Sequence, residues 1–206
     1  MKHRASHPNK SMDIRTLSAY DENSAAFAKD WEEQPSAADL HALIRKYFRP
    51  GRTADVGCGS GRDAAWLTAH GFPTVGFEPS TGLLREARRR HPDVEFQVAA
   101  LPELEGIAEG SFQNVLCETV VMHLQAELIV PSVRKLLHIT EPGGTLYLIW
   151  RVTEGGDRRD EHGRLYAAFD PSLVFEALSD AAVVLDEQVA SPSSGKAVRR
   201  IIARKA

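Results

Sequence analysis

The chain has 206 residues, 43% of them apolar and 26% charged, with a formal net charge of −3. That length and composition suit one globular unit with a substantial core, since a domain of this size hides roughly 70% of its unfolded surface. The mild negative charge argues against a generic phosphate-binding surface, Cys58 and Cys117 lack the spacing of a disulfide framework or metal site, and no apolar run approaches the roughly 20 residues of a membrane span.

Two isolated cysteines suit a reducing cytoplasm, and no metal or membrane partner is expected. Residues 1–13 are polar and aperiodic and read as a disordered tail without the apolar run of a signal peptide. Two helices are expected next, over 16–31 and from Ser36, where a cap residue precedes Ala37, Ala38 and Asp39. Leu40, Leu43, Ile44 and Tyr47 give the second helix one buried face, and Pro50-Gly51 ends it.

An alternation then begins. Residues 53–56 read as a strand, 62–70 as a helix stopped by Gly71, and 73–77 as a second strand. Ser80 caps a helix whose Leu83, Leu84, Ala87 and His91 share one side. Strands three and four fall at 94–98 and 111–117, and Ile129, Val133, Leu136 and Leu137 mark a helix with Pro131 near its first turn. Pro142-Gly143-Gly144 reads as a turn before the nearly continuous apolar strand 145–150, the pattern of a strand covered on both faces.

Strand–helix repeats with short connections imply right-handed crossovers and a mostly parallel α/β sheet. The end departs from this. Residues 171–178 are helical, and strands 183–189 and 197–203 flank Ser191-Pro192-Ser193-Ser194-Gly195, a connection too short for a parallel crossover.

The most informative stretch is Asp55-Val56-Gly57-Cys58-Gly59-Ser60-Gly61, at the carboxyl end of the first strand. Three alternate glycines let the backbone turn tightly and approach a ligand, while the helix opening at Arg62 points free N–H groups toward the same space. The spacing is G-x-G-x-G, not the G-x-G-x-x-G of the dinucleotide fingerprint, which disfavours a nicotinamide dehydrogenase. Glu78 follows Gly57 by 21 positions and should end the second strand, where a carboxylate can accept from both hydroxyls of a ribose.

Asp55 to Gly61, the acidic end of strand two, Leu101-Pro102 after strand three and Pro142-Gly143-Gly144 before strand five resemble the class I S-adenosylmethionine-dependent methyltransferases. The resemblance covers about residues 55–150, and the two terminal strands fit that family's antiparallel ending. It implies a Rossmann-like, doubly wound sheet of seven strands in the order 3-2-1-4-5-7-6, with strand seven antiparallel. It also implies S-adenosylmethionine as cofactor. Asp55 and the turn of Gly57, Cys58, Gly59 and Gly61, with Arg62, would serve the methionine half, Glu78 the ribose, and Pro79 would pack near the adenine. Many members carry an acid after strand three for the adenine amino group. Here Ala100 and Leu101 stand at that place, so adenine would rest on backbone or apolar contacts.

Glu118 and His123 lie in the loop after strand four, at the edge where ligands bind in open parallel sheets. Each is a candidate general base or substrate anchor, Glu118 also for the cofactor's charged end; packing at the next helix is the alternative for His123. The segment 151–166 is a polar insertion at the same edge. Arg151, Arg158, Arg159 and Tyr166 within it are candidates to hold an acidic small-molecule acceptor, against a surface loop of self-paired charges. Tyr20, Phe27 and Trp31 lie on the first helix, and the resemblance implies a helical lid over about 14–50 that folds over the cofactor and brings Tyr20 and Trp31 to the substrate; plain core packing is the alternative. Arg85, Arg88, Arg89 and Arg90 occupy the last turns of a helix, where cations suit dipole and solvent, so nucleic acid is not an expected partner. A binding protein that keeps the fold without turnover is the alternative function.

Overall fold

The computed structural model describes residues 12–35, 37–192 and 194–206. Residues 1–11 of the expected tail, and Ser36, the expected helix cap, lie outside the described residues. Asp13, the last residue of that tail, is firmly engaged. It is the N-cap of α1 (Ile14–Glu22), accepting from the Thr16 N–H at 2.9 Å, and it forms a two-bond ion pair with Arg159.

The single helix expected over 16–31 is two, α1 and α2 (Ser24–Glu33), parted at Asn23. Asn23 leaves helical geometry, with φ −114° and ψ 18°, and its Nδ2 donates to the Ala19 carbonyl at 3.1 Å. A short amide side chain that bonds nearby backbone competes with the helix ladder, which is why the chain turns there. Then come α3 (Ala38–Tyr47), β1 (Thr53–Val56), α4 (Arg62–Ala69), β2 (Thr74–Phe77), α5 (Thr81–Arg90), β3 (Glu95–Gln97) and β4 (Phe112–Glu118). Two short 3-10 turns lead into α6 (Ile129–Ile139) and β5 (Thr140–Arg151). A hairpin of β6 (Arg158–Arg159) and β7 (Leu165–Tyr166), α7 (Ser172–Ala177), β8 (Ala181–Ala190) and β9 (Ala197–Lys205) complete the described elements.

Seven strands form one sheet in the order β3-β2-β1-β4-β5-β9-β8. The first five pair in parallel and β9 is antiparallel to both neighbours. With the small β6–β7 hairpin set aside, this is the expected 3-2-1-4-5-7-6. One local expectation changes. Pro142-Gly143-Gly144 does not separate β5 from what precedes it, because the strand begins at Thr140 and continues through a register shift against β4. A side chain at Gly144 would meet the Gln113 carbonyl at 2.7 Å, so the strands approach too closely there for any other residue.

Central strands are buried on both faces, and alternate residues serve opposite layers. Val115, Cys117, Leu146, Leu148 and Trp150 pack with α6 and α7. Leu116, Tyr147 and Ile149 pack with Leu40 and Ile44 of α3 and Leu67 of α4. Truncating one of these large side chains to alanine should cost about 2–5 kcal/mol. This two-sided core leaves the carboxyl ends of β1, β2, β4 and β5 rigid and open to one side, and the functional residues gather there.

Candidate active site

The turn after β1 is built from left-handed backbone. Gly57, Gly59 and Gly61 have φ of 77°, 56° and 84°, conformations that side-chain-bearing residues rarely adopt. A Cβ on Gly57 would fall 2.2 Å from Val120, and one on Gly59 would fall 2.9 Å from the Trp31 ring. Gly61 serves differently: it is the N-cap of α4, closed in by Phe96, and lies off the cavity.

Glu78, the last side chain of the β2 edge, organises this turn. Its carboxylate accepts from the Gly59 N–H at 3.0 Å and from the Ser80 N–H at 2.9 Å. Burial pushes its pKa up to about 7, against the pull of those two donors. Asp55 is 3% exposed, and one of its carboxylate oxygens is buried with no hydrogen-bond partner. Burial, then the Asp63 and Glu78 carboxylates, raise its pKa well above the ordinary value. Glu118, at the end of β4, faces the cavity and not bulk water; burial and the adjacent Asp63 carboxyl hold its proton on to well above the usual carboxylate range. The next residue, Thr119, has φ 56°, a strained conformation for a β-branched side chain beside a binding site.

These residues open on a cavity of about 410 Å³. Of the expected cofactor residues, Asp55, Gly57, Cys58, Gly59, Arg62, Glu78, Pro79 and Glu118 line it. Leu101 lines a narrow apolar recess beside it with Ala99, Pro79 and Val120. Ala100 reaches neither; its carbonyl instead accepts from the Leu104 N–H at 2.8 Å, closing the turn after β3.

Residues 54–144 match the family model described as a methyltransferase domain. Residues 54–144 are thus similar to a methyltransferase domain, and the sheet has the strand order expected of the class I S-adenosylmethionine-dependent methyltransferases. Curated relatives include a demethylmenaquinone methyltransferase of Beutenbergia cavernae, 33% identical over 48% of this chain and 40% of its own length. A trans-aconitate 2-methyltransferase of Methylobacterium nodulans is 35% identical over 56% of this chain and 43% of its own. The matches thus span less than half of either relative. Among solved structures, the 1,6-didemethyltoxoflavin-N1-methyltransferase of Burkholderia thailandensis, bound to its substrate and S-adenosylhomocysteine, shares the fold. It has a TM-score of 0.70 at 21% identity, over 100% of this chain and 93% of that one. The cyclase SpnF shares it too, with a TM-score of 0.73 at 16% identity over 98% and 99%.

The glycine turn fits that family's cofactor on three counts. Gly57 and Gly59 line the cavity in left-handed backbone, Asp55 holds a buried acceptor oxygen without a partner, and Glu78 stands fixed at the strand end.

The cavity's opposite wall comes from α1, α2, the loop after β4 and the hairpin. His123 is 2% exposed and uses both ring nitrogens. Its Nδ1 lies 2.5 Å from the Leu165 carbonyl, which can only accept, so Nδ1 carries the proton. Nε2, 2.9 Å from the Tyr20 hydroxyl, is then the acceptor and Tyr20 the donor. Burial lowers the His123 pKa to about 4, outweighing the Leu165 carbonyl. The base nitrogen is therefore already occupied, and a rate rising through pH 6–7, expected of a histidine base, does not suit this ring.

Tyr20, Trp31, Arg151 and Tyr166 all line the cavity. Arg158 and Arg159 do not. Arg158 is exposed and donates to the Glu154 carbonyl at 3.1 Å, and Arg159 is committed to Asp13 and to the Gly163 carbonyl. Arg164 belongs to the same polar insertion but was not among the residues singled out from it; it lines the cavity with its guanidinium 4.6 Å from the Phe27 ring centre and 5.3 Å from that of Tyr20. Its position two residues before Tyr166 on the hairpin, hence on the same face, was the available signal. Asp63, Met122 and Arg200 also line the cavity without having been singled out. Among the described residues, no helix is long and apolar enough to cross a membrane, and no group of three His, Cys, Asp or Glu side chains could hold a metal ion.

Proposed function

We propose that this protein transfers a methyl group from S-adenosylmethionine to a small-molecule acceptor held in the cavity. The observation that carries the proposal is the joining of two features in one space. The glycine turn with Glu78 opens into the same cavity that Tyr20, Trp31, Arg151 and Tyr166 enclose from the other side. The small-molecule acceptors named for the relatives support the class, trans-aconitate among them.

In this reading Asp55, Gly57, Cys58, Gly59, Arg62 and Glu118 hold the methionine half. Glu78 holds the ribose, and Pro79, Leu83 and Leu101 give apolar cover to the adenine. When bound, the cofactor supplies an electrophilic methyl group on a sulfonium sulfur. The protein's task is to orient the acceptor and exclude water, which can lower a barrier by roughly 7–11 kcal/mol. Helices α1 and α2 act as the lid. Asp21 accepts from the Ser80 hydroxyl at 2.7 Å and the Gly82 N–H at 2.8 Å, Arg62 donates to the Trp31 carbonyl at 2.9 Å, and Thr16 accepts from the Leu165 N–H at 2.9 Å. His123 is a positioning residue in this scheme, holding Tyr20 against the acceptor wall.

Calorimetric titration with S-adenosylhomocysteine, followed by a screen for its release from S-adenosylmethionine with small-molecule acceptors, tests the proposal. Binding with turnover is the expected result. No binding by the unmutated protein overturns it, and binding without turnover on any acceptor points to other chemistry on this fold, as the cyclase neighbour illustrates.

A further inference from the structure

The cavity is chemically divided, with carboxyl groups at one end and guanidinium groups at the other. Asp55, Asp63, Glu78 and Glu118 gather at the glycine turn. The wall formed by Met122, His123, Tyr20 and Tyr166 instead carries Arg151 and Arg164, whose guanidinium carbons lie 4.9 Å and 6.0 Å from the centre of the Tyr166 ring. His123 adds no charge there, being neutral near pH 7.

Four arginines line the cavity, and three are engaged by carboxylates. Arg62 is 3.7 Å from Asp63, Arg164 is 2.7 Å from Asp160, and Arg200 pairs with Asp39 and Glu187. Arg151 differs. Its backbone N–H meets the Met122 sulfur and its guanidinium lies over Tyr166, but among the described residues no carboxylate stands within ion-pair distance of it. Residues 1–11, Ser36 and Ser193 contain no acidic side chain that could supply one. A half-buried guanidinium fork left without an anion and laid over an aromatic ring is matched by a planar carboxylate on an organic body.

We infer that the acceptor is a small organic carboxylate, anchored through its carboxylate by Arg151 with Tyr166 beneath. The assignment rests on the methyl-transfer reading above and narrows its substrate to an anion. The arginine end attracts an anionic acceptor and repels the cationic cofactor, so the two ligands sort to separate ends of the cavity. Arg158 and Arg159 take no part.

The test uses the full chain saturated with S-adenosylhomocysteine, titrated calorimetrically with succinate, citrate, benzoate and 4-hydroxybenzoate, each up to about 10 mM. The methyl esters serve as neutral matches. At least one acid is expected to bind where its ester does not. Arg151→Gln is expected to weaken that binding about tenfold or more, Arg151→Lys less, and the distant Arg158→Gln not at all. Affinity for S-adenosylhomocysteine should stay within about twofold in every variant. Silence from all four acids while S-adenosylhomocysteine still binds overturns the inference, as does equal binding of acid and ester or indifference to Arg151→Gln. Failure of S-adenosylhomocysteine to bind at all overturns the methyl-transfer reading instead.

Discussion

Gly59 and Glu78, bonded to each other at one end of the cavity, are 19 positions apart, whereas Tyr20 at the other end reaches His123 across 103 positions and Arg164 across 144. The first end is a continuous strand–turn–helix–strand whose geometry follows from backbone rules: left-handed glycines, a helix N-terminus and a carboxylate at a strand end. The second is assembled from a helix, a loop and a hairpin that share no local pattern. The first therefore tolerates few substitutions and suits a fixed ligand. The second can be rebuilt side chain by side chain, which is how one fold can serve many acceptors.

The comparison predicts where damage concentrates. The largest effect belongs to Gly57→Val, which forces a β-branched residue to φ 77° and drives its Cβ into Val120. Cofactor affinity should fall more than about a hundredfold, near 3 kcal/mol, in a titration with S-adenosylhomocysteine, with circular dichroism confirming that the chain is folded. Retained affinity would mean the turn does not approach the ligand.

Next is a stability effect of the carboxylate end. Glu78 has a folded pKa of about 7 against 4.5 in model compounds, so between those pH values the folded chain binds more protons there than the unfolded chain. Stability contributed relative to a permanently neutral group is therefore lost as pH rises from 4.5 to 7, by about 3 kcal/mol. In the ligand-free protein, Glu78→Gln should remove that fall. His123 acts oppositely, gaining stability from pH 4 to 6.5, but it is present in both proteins and cancels in the difference. Parallel denaturation curves at pH 5 and 8 with the same difference between the two proteins would contradict this.

Smaller effects are expected at the acceptor wall. Tyr20→Phe leaves the buried Nε2 of His123 without its donor and should destabilise the fold by about 1–3 kcal/mol while sparing cofactor affinity. With an acceptor in hand, kcat/KM should not show a titration at pH 6–7 that disappears in His123→Ala. The smallest effect is Asp13→Ala, which removes a helix cap and an ion pair at the surface and should cost about 1 kcal/mol in chemical denaturation.

The same contrast explains what could be read in the sequence. The glycine turn and the place of Glu78 follow from neighbours along the chain, whereas the order of the sheet is implied by the family resemblance; the structure repeats all three. The break at Asn23 was missed because Tyr20, Phe27 and Trp31 keep near-helical spacing across it, and periodicity does not register one residue leaving the helix. Pro142-Gly143-Gly144 carries turn chemistry, yet pairing with β4 on one side holds it in a bulged strand. Arg158 and Arg159 could not be told from Arg151, because the direction of a side chain on a two-residue strand depends on what it meets. Arg159 meets Asp13, 146 positions earlier. The engagement of both His123 nitrogens was equally hidden, since neither partner lies near it in the chain.

The central claim is that cofactor and acceptor are held by separate ends of one cavity. It is tested most directly by titrating S-adenosylhomocysteine into the unmutated protein, Glu78→Ala and Arg151→Gln under one set of conditions. The account predicts binding by the unmutated protein, a loss of about 1.5–3 kcal/mol in Glu78→Ala and no measurable change in Arg151→Gln. An Arg151→Gln loss equal to that of Glu78→Ala, or an unmutated protein that does not bind, would contradict it.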